Sequence, residues 1–531
     1  METSNARTGR PPWPVEGSRR QRSENLTEGD ADMNAEGESD ERIVPANPTN
    51  NGEAESPAES GEESRSAKRN IDPSNLDRTP SRTSRRSSGL VGVREAARKD
   101  RDLKFTALLH HIDVELLDWS FHKLKPKAAT GIDGVTWAEY EKDLEAHLVD
   151  LHGRIHRGAF RAKPSKRVYI EKTGGKKRPL GIPSLEDKIV QHAVRYVLQC
   201  IYEQDFVGFS YGFRPQRSQH QALDALYVAI TEQRVNWIID ADIAGFFDNI
   251  DRDWLVKFIE HRVGDKRIVR LILKWLNAGI IEGTDWSDSG MGTPQGAVLS
   301  PLLANVFLHY VFDLWISSWR RNQCRGNCVV IRYADDFVIG FETEADARAC
   351  LAALETRFAK FGLQLHPEKT RLIEFGQGSA ARREREGRGK CETFDFLGFT
   401  HICGKTRKSK RFVLLRRTMA TRMRRTLARI KEELRRRRHH GLGETGRWLA
   451  SVVRGWEGYY GVPMNFARLQ QFRESLFHLW LGQLRRRSQR GSSGWTHKRM
   501  RRLVDRYFAA PKLTHPWPQV RHHALLEARA V

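Results

Sequence analysis

Two adjacent carboxylates, Asp335 and Asp336, stand between two short apolar runs at residues 329–331 and 337–339. Runs of β-branched and aromatic residues on either side of a tight polar turn predict a β-hairpin. Two carboxylates at its tip repel each other and cost stability unless cations neutralise them. Mg²⁺ does this with oxygen ligands while also binding substrate phosphates. A lone Asp-Asp pair is more often a solvated acidic turn, so the metal hypothesis needs a further carboxylate.

That third carboxylate lies upstream, at the end of a segment with strand periodicity. Residues 237–243 (WIIDADI) alternate between two faces, which predicts a β-strand with Asp242 at its carboxyl end. Beside the hairpin, this strand would place Asp242, Asp335 and Asp336 around two metal ions. In two-metal catalysis, one ion activates an attacking hydroxyl and the other steadies the triphosphate and the leaving oxygen. The three carboxylates therefore predict a phosphoryl-transfer site.

Charge composition indicates the kind of partner. The 531 residues include 90 Lys and Arg against 66 Asp and Glu, a formal net charge of +24. Such an excess favours a polyanionic partner, although a merely basic soluble protein or a binder of anionic membranes would also show it. No apolar run approaches the roughly 18 residues of a membrane span, and the N-terminus lacks a signal-peptide core. We therefore expect a soluble, intracellular protein with a nucleic-acid partner and no membrane partner.

Further sequence blocks follow one another in a fixed order. They are residues 210–214 (SYGFR), 242–248 (DIAGFFD), 292–296 (GTPQG), 333–336 (YADD), 362–370 (GLQLHPEKT) and 394–399 (FDFLGF). Together they resemble the conserved blocks of group II intron-encoded reverse transcriptases and maturases of the bacterial type. A loop at residues 130–136 (TGIDGVT) resembles the extra N-terminal block of the same enzymes. Any one block is a weak signal, whereas the ordered set across residues 105–520 is specific.

The resemblance implies an α+β right-hand polymerase with fingers and a ferredoxin-like palm, followed by an α-helical thumb and maturase domain. A split β-α-β-β-α-β palm would explain why the carboxylates come from a strand and a distant hairpin. The N-terminal residues are rich in Ser, Glu, Asn, Gly and Pro and are expected to be disordered. The expected boundaries are 1–95 for this tail, 96–235 for an N-terminal extension and the fingers, 236–400 for the palm, 401–440 for the thumb, and 441–531 for a maturase X-like domain and basic C-terminal region.

The resemblance also assigns site residues. The implied catalytic carboxylates are Asp242, Asp335 and Asp336, and the implied ligands of two Mg²⁺ ions are these three with Ile243. The implied nucleotide-binding residues are Lys172, Arg178, Gly245, Phe246, Phe247, Gln295 and Lys369. Lys172 and Arg178 belong to a predicted fingers hairpin that clamps the triphosphate, although Glu171 stands where the family usually has proline.

Four of these roles have specific physical content. Gly245 and Phe246 would offer backbone N–H groups to the triphosphate, and the ring of Phe247 would exclude a 2′-hydroxyl and so select dNTPs. Core packing is the alternative for one of the two phenylalanines. Gln295 would contact the incoming nucleotide. Lys369 would stand near the leaving pyrophosphate as a proton donor or an electrostatic stabiliser, with a solvated lysine as the alternative.

The C-terminal third combines helical periodicity with arginines. Met423, Leu427, Ile430 and Leu434 recur at helical spacing, which predicts an amphipathic helix with a cationic face. Residues 455–460 (GWEGYY) resemble the GWxxYY signature of the maturase X domain, and their aromatic side chains are expected in the core rather than as stacking platforms. The candidate nucleic-acid-binding residues are Arg425, Arg429, Arg435, Arg436, Arg437, Arg438, Arg454 and Arg486.

Cysteine usage bears on two other site types. The spacing of Cys324 and Cys328 is the one close pair, and without a second pair nearby we expect no zinc site. Many relatives end in a cysteine-rich DNA endonuclease domain. No cysteine follows Cys403 here, so that domain is expected to be absent.

The expected function is RNA-directed DNA polymerisation with assistance to intron splicing and mobility by target-primed reverse transcription. The partners implied are intron RNA template, DNA primer or target and dNTPs, in a cytoplasmic bacterial ribonucleoprotein, with a homodimer as one arrangement. One alternative is a retron, diversity-generating or CRISPR-associated reverse transcriptase without a splicing role. Another is a non-catalytic RNA-binding splicing cofactor, against which the presence of all three carboxylates argues.

Overall fold

Helices and short strands alternate along the chain in the computed structural model. It describes residues 80–171, 177–282, 285–287, 291–293, 295–487 and 494–522. The longer helices are α1 (Pro80–Lys99), α2 (Val114–Lys123), α3 (Trp137–Glu141), α4 (Leu144–His156), α5 (Leu185–Asp205), α6 (Gln219–Glu232), α7 (Arg252–Arg262), α8 (Lys266–Leu276), α9 (Ser300–Leu308), α10 (Leu314–Gln323), α11 (Glu344–Ala359), α12 (Gln377–Arg385), α13 (Ala420–Arg436), α14 (Leu442–Tyr460), α15 (Phe466–Arg485) and α16 (His497–Tyr507).

The strands form three sheets. The strands are β1 (Ser165–Glu171), β2 (Lys177–Ile182), β3 (Trp237–Asp242), β4 (Ile280–Glu282), β5 (Asp285–Ser287), β6 (Cys328–Tyr333), β7 (Asp336–Phe341), β8 (Arg371–Glu374), β9 (Phe394–Phe396), β10 (Phe399–Lys405) and β11 (Phe412–Thr418). The strand orders are β2-β1-β4-β5, β6-β7-β3-β8 and β11-β10-β9.

The sheet β6-β7-β3-β8 has the predicted topology. All its neighbouring strands are antiparallel. Helices α7–α10 connect β3 to β6, a tight turn connects β6 to β7, and α11 connects β7 to β8. This is the split β-α-β-β-α-β order. Buried β-branched and aromatic side chains from the middle strands cover the helix-packed face, so the sheet is a rigid platform for the polar residues at its edge.

The predicted fingers hairpin also forms as a pair of strands. β1 and β2 pair antiparallel, from Lys166 opposite Ile182 to Glu171 opposite Lys177. The connecting residues 172–176, with the predicted turn and Lys172, lie outside the described residues. The loop at residues 130–136 is non-helical as predicted and ends at Thr136, which caps α3 by accepting from the N–H of Glu139.

The predicted boundary between the N-terminal tail and the folded chain lies too far along the sequence. The tail was expected to be disordered to residue 95, but α1 begins at Pro80. Leu90, Val93 and Ala97 are buried, at spacings of three and four residues that place them on one helical face. The many serines and arginines around them hide this short apolar stripe in the composition.

The four C-terminal helices follow their apolar periodicity. α13 buries Met423, Ile430 and Leu434, as predicted. In α14, Trp456 is 8% exposed and its ring stacks on that of Phe472 with centroids 4.2 Å apart. The aromatic residues of the GWEGYY block are therefore mainly core residues, as the sequence analysis expected. Within the described part of the chain, no helix has the length and apolar character needed to cross a bilayer.

Candidate active site

The central sheet brings the three predicted carboxylates to one edge. Asp335 lies in the turn between β6 and β7, and Asp336 begins β7. In the β3–β7 ladder, Asp242 is directly opposite Asp336. Because opposite residues of antiparallel strands project from the same face, these two carboxylates share a face, next to the turn that carries Asp335.

A fourth carboxylate, which the sequence analysis missed, lies on this face. Asp240 precedes Asp242 by two residues on β3, so its side chain points to the same side. Arg371 Nη2 donates to Asp240 Oδ2 at 3.1 Å. The period-two alternation could have found Asp240, but no function was assigned to it because its role depends on Arg371, which is distant in sequence.

The carboxylate cluster has the electrostatics of a cation site. Burial, followed by the charges of Asp335, Asp240 and Asp242, raises the pKa of Asp336 well above its usual range. This repulsion would be relieved by a cation. In the described residues, however, no three His, Cys, Asp or Glu side chains are arranged closely enough to hold a metal as they stand. The donor set therefore suits Mg²⁺ chemically, but its oxygen atoms are not gathered into a finished coordination shell.

Lys369 supplies a positive charge at this cluster. Its Nζ lies 2.5 Å from Asp242 Oδ2. The preceding chain segment is fixed to the end of β3, because the N–H of His366 donates to the carbonyl oxygen of Asp242 at 2.8 Å and Ala244 N–H donates to that of Gln364 at 2.9 Å. Lys369 therefore contacts a predicted catalytic carboxylate, although its side chain is 60% exposed. The side chain of Ile243 is buried, so this residue has only main-chain atoms to offer a metal.

The block after Asp242 forms a tight turn beside the carboxylates. Gly245 is exposed with φ of 55°, and residues 246–248 form one turn of 3₁₀ helix. Phe246 is 3% exposed and belongs to the core, whereas Phe247 is partly exposed. Of the two phenylalanines, Phe246 thus takes the core alternative, and Phe247 keeps a surface toward solvent.

The loop with Gln295 links this turn to the hairpin β1–β2. Thr293 N–H donates to the carbonyl oxygen of Phe247 at 2.9 Å, and Gly181 N–H on β2 donates to that of Gln295 at 2.6 Å. The side-chain amide of Gln295 donates to Asp248 Oδ1 at 3.3 Å. Three blocks predicted to bind one nucleotide thus contact one another. The backbone of Arg178 lies in β2, but its side chain, like all of Lys172, is outside the described residues.

The turn at residues 333–336, called the catalytic turn for its predicted role, is closely packed against the SYGFR block. Ala334 in the turn has φ of 58°, a left-handed conformation that is uncommon for non-glycine residues. A Cβ on Gly212 would come within 2.2 Å of Ala334 N. Gly212 is therefore required because two main chains approach each other closely here. Its lack of a side chain is what allows the turn to take this position.

Most candidate nucleic-acid-binding arginines are exposed. The exposed members are Arg425, Arg429, Arg435, Arg436, Arg454 and Arg486. Arg437 and Arg438 differ, because each is partly buried against the protein. Arg437 Nε donates to Glu433 Oε1 at 2.7 Å, and Arg438 Nε donates to Gln483 Oε1 at 3.1 Å. Helix α13 ends at Arg436, so these two arginines follow its last turn. Nucleic-acid binding by the four arginines of residues 435–438 stays a prediction.

Comparisons with known proteins agree with this geometry. A family profile described as reverse transcriptase (RNA-dependent DNA polymerase) matches residues 170–401. Protein YkfC of Escherichia coli is 33% identical over 281 residues, covering 47% of this chain and 73% of that protein. Group II intron-encoded protein LtrA of Lactococcus lactis subsp. cremoris is 46% identical over 153 residues, covering 29% of this chain and 25% of LtrA. Nuclear intron maturase 3, mitochondrial, of Arabidopsis thaliana is 30% identical over 129 residues, covering 24% of this chain and 18% of that protein.

A palm-type sheet with clustered carboxylates and these similarities define the class. The chain belongs to the reverse transcriptase family, and it is similar to a group II intron-encoded protein and to an intron maturase. This confirms the resemblance drawn from the ordered blocks. The aligned region spans only about a quarter of LtrA.

Proposed function

We propose that this chain copies RNA into DNA at the edge of the central sheet and also assists the splicing of an intron RNA. The observation that carries the polymerase proposal is the placement of Asp242 opposite Asp336, beside the turn bearing Asp335. Bound at these carboxylates, two Mg²⁺ ions would activate the primer 3′-hydroxyl and stabilise the charge of the triphosphate. The family match and the excess of basic residues support a nucleic-acid substrate.

The chain's own residues would orient the nucleotide. Gly245 is exposed, so its main chain is accessible to phosphate oxygens. Phe247 would crowd the 2′ position of the sugar and so favour dNTPs. Gln295 would contact the nucleotide from the loop that joins both neighbouring blocks. Lys369, now paired with Asp242, would turn its ammonium group to the leaving pyrophosphate, and Lys172 and Arg178 would hold the triphosphate from the fingers hairpin.

The splicing role rests on similarity to intron maturases and on the exposed arginines of α13–α15. In this proposal β1–β2 and the N-terminal helices act as fingers, α13 acts as thumb and α14–α16 act as the maturase X-like domain. Their arginines would bind phosphates of the intron RNA, with a DNA primer or target entering for target-primed synthesis. The complex would be a cytoplasmic ribonucleoprotein, and a homodimer is one form it could take.

The test is extension of a DNA primer annealed to an RNA template, with dNTPs and Mg²⁺, by wild-type protein and by Asp335→Ala. We expect the substitution to abolish incorporation while RNA affinity is retained, because it removes a metal ligand and no RNA contact. Intron splicing at low Mg²⁺, measured with the same two proteins, should be unaffected by Asp335→Ala. Extension by Asp335→Ala at the wild-type rate would contradict the metal-site assignment, and loss of both activities would contradict their separation.

A further inference from the structure

The turn that carries Asp335 is held from behind by three polar side chains. Arg332 and Asp313 are fully buried, and Asn305 is 1% exposed. Nε and Nη2 of Arg332 donate to the two carboxylate oxygens of Asp313 at 2.7 and 2.5 Å. Nη1 of Arg332 donates to Asn305 Oδ1 at 3.0 Å and to the carbonyl oxygen of Ala334 at 2.9 Å. One guanidinium group thus connects two helical residues to the residue just before Asp335.

The same group of residues fixes the segment packed against the turn. Asn305 Nδ2 donates to the carbonyl oxygen of Gly212 at 2.7 Å. The main chain of Arg332 pairs with this segment, because its N–H donates to Phe209 and its carbonyl oxygen accepts from Tyr211. Asn305 and Arg332 therefore hold both the turn that contains Ala334 and the segment at residues 209–212 that packs against it. A left-handed alanine costs free energy and persists only where the surrounding structure holds it in place. Here it is held by the hydrogen bond from Arg332 to Ala334, by the one from Asn305 to Gly212, and by the two main-chain bonds of Arg332.

A local irregularity in the helix places Asn305 and Asp313 side by side. Residues 309–313 form a π-helical turn between α9 and α10. In a regular α-helix eight residues rotate by roughly 800°, which would leave the two side chains about 80° apart. A π turn contains one additional residue, so the rotation between Asn305 and Asp313 is about 100° smaller than in a regular helix. The two side chains therefore lie on one face. This rare turn is what lets both residues reach the same guanidinium group.

A neutral imidazole lies beside the network. His309 lies beside it, with Nδ1 4.0 Å from Asp313 Oδ2. Burial, followed by the positive charge of Arg332, lowers the pKa of His309 to about 3, so the imidazole is neutral at ordinary pH. Burial raises the pKa of Asp313, and the adjacent guanidinium group of Arg332 opposes that rise, so Arg332 is the charge partner of this carboxyl group. Only a guanidinium group offers enough donors in one plane for all four acceptor contacts.

We propose that Asn305, Asp313 and Arg332 are positioning residues for catalysis, which set the Asp335 turn against the Asp242–Asp336 pair. This inference rests on the proposed polymerase function. All three side chains are buried behind the turn, and they act through the main chain of Ala334. A buried ion pair far from the reacting atoms would be required for stability alone, whereas this one ends on the residue next to a metal ligand.

The chain provides a matched control in another buried arginine. Arg262 is 1% exposed and donates to both carboxylate oxygens of Asp205 at 2.9 and 3.2 Å. It also donates to main-chain oxygens, those of Leu103, Asp100 and Ala97, at 2.7, 3.2 and 3.4 Å. The chemistry therefore matches that of Arg332, but the main chain it holds belongs to the N-terminal segment.

The experiment compares Arg332→Lys with Arg262→Lys in the full-length protein. Single-turnover dNTP incorporation is measured on a pre-annealed RNA template and DNA primer with enzyme in excess, together with thermal unfolding and template affinity. Lysine keeps the charge but cannot make all four contacts. We expect Arg332→Lys to slow incorporation about 100-fold, as a misplaced catalytic group does, and to raise the Mg²⁺ concentration at half-maximal rate, with unchanged template affinity. Arg262→Lys should lower the unfolding temperature but keep the rate per folded molecule within about threefold of wild type.

A second variant decides the matter if Arg332→Lys fails to fold. Asn305→Leu is of similar size and leaves the Arg332–Asp313 pair in place. It removes two hydrogen bonds, the one that Asn305 donates to Gly212 and the one that it accepts from Arg332. It should slow incorporation and shift the Mg²⁺ dependence in the same direction. Wild-type rates and Mg²⁺ dependence in every folded variant at Arg332 or Asn305 would overturn the positioning role. Failure of the wild-type protein itself to incorporate dNTPs would instead contradict the proposed function.

Discussion

The catalytic edge of the central sheet and the C-terminal helices use arginine in opposite ways. Beside the catalytic turn, Arg332 is fully buried and its donors are engaged by fixed acceptors. On α13, Arg435 and Arg436 are 70% and 72% exposed, and the carboxylates of Glu432 and Glu433 lie 3.8 to 4.0 Å from them. A buried arginine fixes geometry, whereas an exposed one supplies charge on a flexible side chain. Substitutions in the first region should therefore change rates, and those in the second should change affinities.

Apart from substitution of the carboxylates themselves, the largest expected effect is that of Gly212→Ala. The new Cβ would lie 2.2 Å from Ala334 N and 2.9 Å from its Cα, so the catalytic turn must move. We expect dNTP incorporation to fall about 100-fold, because a displacement of the order of 1 Å costs about that much. RNA affinity should stay near that of wild type, since no exposed arginine moves. Both are measured by primer extension and by filter binding.

A glycine in the other region is the control for that substitution. Gly458 lies within α14, and a Cβ there would meet no heavy atom within 4 Å. Gly458→Ala should leave the rate unchanged and stabilise the protein by up to about 1 kcal/mol through helix propensity. Equal loss of rate in the two variants would mean that the catalytic turn is no more sensitive than the C-terminal helices, and the comparison would fail.

This contrast also explains what the sequence could and could not predict. The strand ending at Asp242, the hairpin at Asp335 and the palm topology follow from local periodicity, turn chemistry and the ordered blocks. The contribution of Asn305, Asp313 and Arg332 could not be predicted, because it depends on a π-helical turn and on contacts between distant segments. The start of α1 was missed for a simpler reason, since three apolar residues among many polar ones give a weak stripe.

The next largest effect is expected on the choice between ribonucleotides and deoxyribonucleotides, from a substitution at the same edge of the central sheet. Phe247 is partly exposed, while its carbonyl oxygen is held by Thr293 N–H, so its backbone position does not depend on its ring. Phe247→Val should raise ribonucleotide relative to deoxyribonucleotide incorporation by about tenfold, because shape discrimination of this kind is worth 1–3 kcal/mol. The ratio is measured by single-nucleotide extension. An unchanged ratio would assign Phe247 to the core.

A smaller effect is expected on affinity from the exposed arginines. If Arg435 and Arg436 contact phosphates, replacing both with Gln should weaken RNA binding several-fold. It should also reduce the slope of log affinity against log salt by about 1.4 to 1.8. The single substitution Arg437→Gln is the matched control, because Arg437 is engaged by Glu433 and Glu444. Binding isotherms across a salt series give both quantities. Equal slopes in the wild-type protein and both variants would show that Arg435 and Arg436 face solvent and do not contact RNA.

The smallest functional effect should come from a contact that links the C-terminal segment to α6. Arg521 Nε donates to the carboxylate of Asp224, which also accepts from Arg416 at 3.0 Å. Asp224 is 2% exposed and Arg416 is 1% exposed. Arg521→Gln leaves Asp224 with its buried partner, so no uncompensated charge results. We expect a loss of about 1–3 kcal/mol in the free energy of unfolding, with the rate and RNA affinity of the folded protein unchanged.

The control for this last substitution is a surface ion pair. Arg348 and Glu344 are 68% and 43% exposed, so Arg348→Gln should change stability by less than about 1 kcal/mol. Chemical denaturation of both variants measures the difference. If Arg521→Gln instead lowers the rate of dNTP incorporation while the protein stays folded, the C-terminal segment contributes to the catalytic geometry. The division between a region that sets rates and a region that sets affinity would then have to be redrawn at Asp224, because its carboxylate would couple the two.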